Sequence, residues 1–186
     1  MSGVLTLERP HVRYAESYRG LLDEFAARDE PLIPFTLEFA HGDFDALVHS
    51  LEACSRGEGL PAGFVPHSTF WLVRGGREVV GVSNLRHALT PKLRIEGGNI
   101  GYGVRPSARR QGCATEMLRR TLNEARAVGL DQVLLTCAKG NAGSVATILA
   151  CGGRFDSEEF IASRDEVVQR YWLGTSRPTF HSLGAR

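Results

Sequence analysis

The residues of this chain whose types and spacing point most directly to chemistry form one short run, Arg105-Pro106-Ser107-Ala108-Arg109-Arg110-Gln111-Gly112-Cys113-Ala114-Thr115. Within it, Arg109-x-x-Gly112-x-Ala114 puts small residues where backbone would have to approach a ligand closely, at the start of a helix. The first N–H groups of a helix have no intrahelical partner and sit at the positive end of its dipole, so together they attract phosphate. The main-chain amides from Gln111 to Thr115 are therefore candidate anion donors, and the Thr115 hydroxyl is another. Arg105, Arg109 and Arg110 would suit a polyanion; their plainer reading is a solvated basic turn. Two other nucleotide sites fail on spacing. Gly101-Tyr102-Gly103 opens like a dinucleotide fingerprint, but Pro106 stands where the third glycine belongs. Lys139-Gly140 reverses the order a P-loop needs and follows no glycine-rich run.

The elements around this loop must position it. After it, Ala114, Met117, Leu118, Thr121, Leu122 and Ala125 recur at helical spacing, with Glu116, Arg119, Arg120, Asn123 and Glu124 between them, which predicts an amphipathic helix ended by Gly129. Asp131 to Cys137 then reads as a buried strand. Before the loop, Asn99 to Val104 reads as a strand with Ile100, Tyr102 and Val104 on one face and Asn99, Gly101 and Gly103 on the other. Glycines at alternate positions leave that second face bare, so something other than a side chain can lie against it. Further out, a helix is expected from Ala15 to Arg28, ended by Pro31 and Pro34. A second begins after Asp43 and runs through Leu47, Val48 and Leu51 to the break at Gly57-Glu58-Gly59. Thr69–Val73 and Glu78–Val82 flank Arg74-Gly75-Gly76-Arg77 as a hairpin. A helix at Ser144–Cys151 and strands at Arg154–Ile161 and Val167–Leu173 complete the order, and the aperiodic segment from Gly174 to Arg186 is expected to be a loose tail.

Composition narrows the class without naming it. A chain of 186 residues with 42% hydrophobic content can bury one substantial core, and nothing divides it in two. A net charge of +1 gives no general attraction to nucleic acid or to an anionic membrane. The four cysteines, Cys54, Cys113, Cys137 and Cys151, form no C-x-x-C pair and have no zinc spacing with the six histidines, so reduced thiols, no metal and a cytoplasmic setting are expected. The first residues do not read as a secretory signal, and no apolar run approaches spanning length.

Arg109-Arg110-Gln111-Gly112-Cys113-Ala114 resembles the Arg/Gln-x-x-Gly-x-Gly/Ala pyrophosphate loop of the GNAT superfamily of acyl-CoA-dependent N-acetyltransferases. Asn141, Ser144 and Gly152-Gly153 resemble that family's later helix. Asn84-Leu85-Arg86-His87, Gly97 to Pro106 and Arg170-Tyr171-Trp172 are similar to a branch of bacterial predicted acetyltransferases. The likeness runs from about Thr69 to Trp172 and is loose before that.

The resemblance implies an α/β (α+β) fold, with one domain over residues 1–173 and a cofactor-binding core from about residue 69. It implies a mixed, mostly antiparallel sheet flanked by helices, and acetyl-CoA as co-substrate in a wedge between the strand ending at Val104 and the strand of Leu134 and Leu135. Tyr102, Val104, Arg109, Arg110, Gln111, Gly112, Cys113, Ala114, Thr115, Asn141 and Ser144 are the cofactor-binding candidates it implies. Transfer to a primary amine needs a base for the ammonium, a donor for the oxyanion and an acid for the thiolate, but no enzyme nucleophile. Cys113 at a helix start invites a covalent reading, against which stands simple small-residue packing. The family's usual helix tyrosine is replaced here by Ile148. Tyr171 is the substitute acid candidate, His87 a proton relay, and Asn99 a group to orient water or the acceptor amide; the plainer readings are a core or surface-belt tyrosine and an exposed strand-end histidine. Glu96 lies near the position of a family carboxylate, and Arg86 could bind an acceptor carboxylate or make a strand-end salt bridge. The N-terminal helices, their connection Asp29–Phe39 and the last hairpin would choose a small-molecule or peptide amine, and Glu30, Phe35, Glu38 and Phe39 either line its pocket or simply close the core. A homodimer is compatible with this reading. A non-catalytic acyl-CoA-binding module and a nucleic-acid-binding domain are the rival classes; the latter lacks a basic balance and interleaved aromatics.

Overall fold

The computed structural model describes residues 3–175. In chain order its elements are β1 (Leu5–Glu8), α1 (Ala15–Ala26), α2 (Phe44–Arg56), β2 (His67–Arg74), β3 (Glu78–Arg86), α3 (Pro91–Ile95), β4 (Ile100–Val104), α4 (Cys113–Ala127), β5 (Gln132–Ala138), α5 (Ala142–Ala150), β6 (Arg154–Ile161) and β7 (Glu166–Gly174). Local chemistry sets the helix ends. The Asp43 carboxylate accepts the Ala46 N–H at 3.0 Å to start α2, and Gly57 stops it in the left-handed conformation at φ 79. Asn141 caps α5 in the same way as Asp43. The buried positions of α4, Met117, Leu118, Thr121, Leu122 and Ala125 among them, lie on the face its periodicity predicts.

Every strand pair is antiparallel, in two sheets of order β1-β2-β3-β4 and β5-β7-β6. The central sheet is thus parted between β4 and β5, which no ladder joins, where the expected wedge lies. The two meet only at the base of β4. There the Asn99 N–H donates to the Leu134 carbonyl at 2.7 Å, and the Leu134 N–H donates to Asn99 Oδ1 at 2.9 Å. Gly98 makes this approach feasible: a Cβ at its φ of +58 would stand 2.3 Å from the Leu134 oxygen. Beyond that junction the strands splay into a wedge.

Alternation along β2 and β3 builds a core on each side of the first sheet. Trp71, Val73, Val79 and Val82 face α1 and α2, where Trp71 stacks on Tyr18 at 4.8 Å. Phe70 and Leu85 face the other way and pack with Ile100, Leu118, Leu122 and Leu135. These opposed layers hold β3 and β4 rigid beside the wedge.

Three features differ from the sequence expectation. β1 is a half-buried edge strand on β2, and its four residues show no alternation of burial to betray it. α3 is one short turn of helix capped by Thr90 with Pro91 in its first turn. The chain does not loosen at Gly174: that residue pairs with Gln132, and the buried Thr175 donates its hydroxyl to the Leu130 carbonyl at 2.7 Å. The remainder of the expected tail, 176–186, lies outside the described residues. Among those described, no helix is long and apolar enough to cross a membrane.

Candidate active site

A cleft of about 1150 Å³ opens where β4 and β5 part. At one end stands the start of α4. Gly112 occupies its N-cap position at φ 79, a conformation L side chains rarely adopt, and no side chain caps the helix. A Cβ built on Gly112 would meet nothing within 4 Å, so open space, not protein, lies above it. The orphan amides of the first turn of α4 and the helix dipole therefore face solvent-accessible room. Arg110, at φ 61, also lines this end. No group of three or more His, Cys, Asp or Glu side chains gathers for a metal ion among the described residues.

The other two arginines of the loop are braces, which corrects the expectation that they await a polyanion. Arg105 Nε donates to Glu24 Oε1 at 2.6 Å, and Glu24 also accepts the Ser107 N–H at 2.9 Å. Arg109 forks onto both oxygens of Glu30 and donates its Nε to the Val104 carbonyl at 3.1 Å. The Arg109 guanidinium holds the Glu30 carboxyl below its ordinary range. Glu30, expected in the acceptor pocket, is thus the partner of the loop, and the Val104 carbonyl is spoken for. Gln111 turns its side chain away from the cleft to bond Ser107 and Arg74, leaving only its backbone for an anion. Cys113 is 2% exposed and packs with Leu72, Val80, Ala108 and Met117, so the covalent reading fails on burial.

The walls of the cleft come from β4 and α5. The Tyr102 hydroxyl lies 2.9 Å from the Ser144 hydroxyl, tying the strand to the helix, and burial pushes the phenol up to about 12. A phenol held so high serves as a hydrogen-bond partner and is a weak proton source. Asn141 Oδ1 accepts the Ser144 N–H at 2.9 Å while both residues line the cleft. On the opposite face of β4, the bare surface over Gly101 and Gly103 is covered by the protein itself. A Cβ on Gly103 would fall 1.9 Å from the Ile33 carbonyl oxygen, and one on Gly101 3.4 Å from Pro34. The α1–α2 connection is thereby pressed onto the strand.

The three proton-handling candidates read from sequence do not line this cleft. Asn99, 2% exposed, spends its amide on the Arg86 carbonyl at 3.1 Å and the Leu134 N–H, which makes it the pin between the sheets. His87 turns toward β2, with Nε2 3.0 Å from the Ser68 hydroxyl, and burial lowers its pKa. Tyr171 lies in the core, its ring edge-on to Phe155 and its hydroxyl donating to Gln169 at 2.7 Å. Glu96 sits 3.9 Å from Arg164 outside the cleft lining. Ile148, where the resembling family has its tyrosine, is fully buried. Besides Glu30, which is committed to Arg109, the carboxylates lining the cleft are Glu38 and Glu166 at the start of β7, the latter 2.6 Å from Arg164. Glu166 escaped sequence reading because only the β6–β7 hairpin brings it there; no local pattern marks it. Arg86 also lines the cleft, donating Nη1 to the carbonyls of Gly97 at 3.0 Å and Gly98 at 3.2 Å.

Solved structures share this architecture at low identity. The microcin C7 self-immunity acetyltransferase MccE, in complex with acetyl-CoA and AMP, is 16% identical, with 93% of this chain and 96% of that one covered at a TM-score of 0.65. Mycobacterium smegmatis RimJ, in complex with CoA-disulfide, is 20% identical over 92% and 82% at 0.68. The dodecameric spermidine N-acetyltransferase of Vibrio cholerae is 17% identical over 96% and 98% at 0.62. No curated protein sequence matches the chain significantly. The sequence model of the acetyltransferase (GNAT) domain, however, matches residues 24–154, from the Glu24 that braces the loop before α4 to the first residue of β6, and the chain belongs to the GNAT acetyltransferase family.

Proposed function

We propose that this protein transfers an acetyl group from acetyl-CoA to a primary amine by direct attack within a ternary complex. The observation that carries the reading is the uncapped N-terminus of α4 behind a left-handed Gly112, facing open space at one end of the wedge. A diphosphate fits such a place chiefly on main-chain donors, with Arg110 the one loop arginine left beside them. The cofactor-binding set then comprises the backbone of Gln111 to Thr115, the Arg110 side chain, and the β4 and α5 surfaces carrying Tyr102, Asn141 and Ser144. The pantetheine arm would lie along the wedge, where β4 and β5 share no ladder and leave backbone groups to be paired. An acceptor amine must be neutral to attack, and Glu38 and Glu166 are the cleft carboxylates able to receive its proton. The reading needs no cysteine nucleophile: Cys113 and Cys137 border the cleft but are 2% and 9% exposed, and burial raises the Cys137 thiol to about 11. The acetyl-CoA and CoA complexes of MccE and RimJ support the choice of co-substrate through their common fold.

The test is free-thiol release from acetyl-CoA across an amine panel, with calorimetric CoA binding to wild type and Gly112→Asp. Asp tolerates the left-handed conformation at a cost of about 1–2 kcal/mol, so the fold should survive. Its carboxylate would occupy the anion site and abolish measurable CoA binding. Unchanged affinity in a folded variant would overturn the assignment. The buried Ile148 favours one second reading, a non-catalytic acyl-CoA binder, which predicts normal CoA affinity and no thiol release with any amine.

A further inference from the structure

We propose that Arg86 selects the acceptor, and that the amine accepted by this cleft also carries a carboxylate, bound by the free edge of the Arg86 guanidinium. The inference rests on the transferase reading above and names its substrate class. Arg86 closes β3 and lines the cleft below the α1–α2 connection, with its guanidinium carbon 5.2 Å from the centre of the Phe35 ring. One nitrogen, Nη1, is committed to the Gly97 and Gly98 carbonyls. Nε and Nη2 have no hydrogen-bond partner among the described residues and neither is a sealed buried atom, so that edge of the fork is unspent on a residue that lines the cleft.

The contrast with the other cleft arginines is what points to a ligand. Arg109 is forked onto Glu30, and Arg164 is paired with Glu166 at 2.6 Å and approaches Glu96 at 3.9 Å. Arg110 stands at the anion end. Arg86 has no carboxylate within 4.0 Å among the described residues, so the strand-end salt bridge is not formed. A half-buried guanidinium without an acid is disfavoured, and burial lowers its pKa. A substrate carboxylate removes that cost with two parallel N–H···O bonds. A single free edge matches a planar carboxylate, whereas a phosphate dianion would also face Glu38 and Glu166 in the same cleft. Those acids suit the ammonium of an amino acid.

The experiment pairs each acid with its amide: leucine with leucinamide, β-alanine with β-alaninamide, 4-aminobutyrate with 4-aminobutyramide. An α-amino amide carries a less basic amine than its acid, so intrinsic reactivity at neutral pH favours the amide and works against the expected result. For at least one pair, kcat/KM for the acid should exceed that for the amide tenfold or more. In Arg86→Gln the ratio should fall to one or below through a raised KM for the acid, and Arg86→Lys should recover part of it. Thermal midpoint and CoA affinity report whether each variant is folded. The same preference should appear without turnover, as tighter binding of N-acetylleucine than of N-acetylleucinamide to the CoA-loaded protein. Amides preferred throughout, or equal ratios in wild type and Arg86→Gln, overturn the inference while leaving the transferase reading standing. Thiol release from no amine sinks the transferase reading, and the binding comparison then still decides the role of Arg86.

Discussion

Replacing Asn99 by alanine separates a structural pin from a catalytic group. The side chain bridges β3 and β5 by donating Nδ2 to the Arg86 carbonyl at 3.1 Å and accepting the Leu134 N–H at 2.9 Å. Alanine leaves the Leu134 N–H buried and unpaired, at about 1–3 kcal/mol, and strands the half-buried Arg86 carbonyl at the lower end of that range. The main-chain bond from the Asn99 N–H to Leu134 survives, so the junction should weaken without coming apart. The expected loss is about 2–4 kcal/mol, a large share of the ordinary stability of such a domain. Asn99→Asp should cost at least as much, because it keeps the acceptor, loses the donor and points a charge at a carbonyl oxygen. Denaturant unfolding reads the loss directly, and thiol release under conditions where the variant remains folded reads the chemistry. Stability changed by less than about 1 kcal/mol together with abolished turnover would refute the pin and restore Asn99 to the reaction.

Gly103→Ala should push the Ile33 carbonyl off β4, since the new Cβ starts 1.9 Å from it; acceptor KM should rise more than CoA affinity falls. His87→Ala and Tyr171→Phe should each keep near-normal kcat in the thiol assay, because neither side chain lines the cleft; a hundredfold loss in either would contradict its placement. His67 gives a pH signature. Burial lowers its pKa from the ordinary 6.5 to about 4, so the unfolded chain binds the proton before the folded one does. Stability is complete above pH 6.5 and declines as pH falls toward 4, by about 3 kcal/mol in all, and His67→Gln should flatten that slope in unfolding experiments at stepped pH.

Local signals in the sequence carried much of the fold and the loop that opens α4. The apolar spacing of α4, the capping Asp43, the Gly-Gly hairpin and the Gly112 loop each act over a few residues, so their meaning is visible before any tertiary contact forms. What stayed hidden depends on partners far apart in the chain. Arg105 and Arg109 looked like phosphate ligands because Glu24 and Glu30 reach them from α1 and the segment after it. Asn99 looked free because the Leu134 N–H that consumes its oxygen arrives from another sheet. Tyr171 had the right chemistry, but strand register turned it into the core. The bare face of β4 was legible as bare; that the protein's own Ile33 carbonyl covers it was not.

The Arg109–Glu30 fork and the Ile33–Gly103 contact make two neighbouring segments into a single mechanical part. Under the proposed function one would shape the diphosphate cradle and the other would roof the acceptor, and a carboxylate of that roof is riveted to an arginine of the cradle. Evolutionary drift in acceptor choice is therefore costly at residues 30–33, where any repacking disturbs the cradle as well. Diversification has a freer path farther out, at Phe35, Glu38 and the β6–β7 hairpin, where a change alters the roof and spares the rivet.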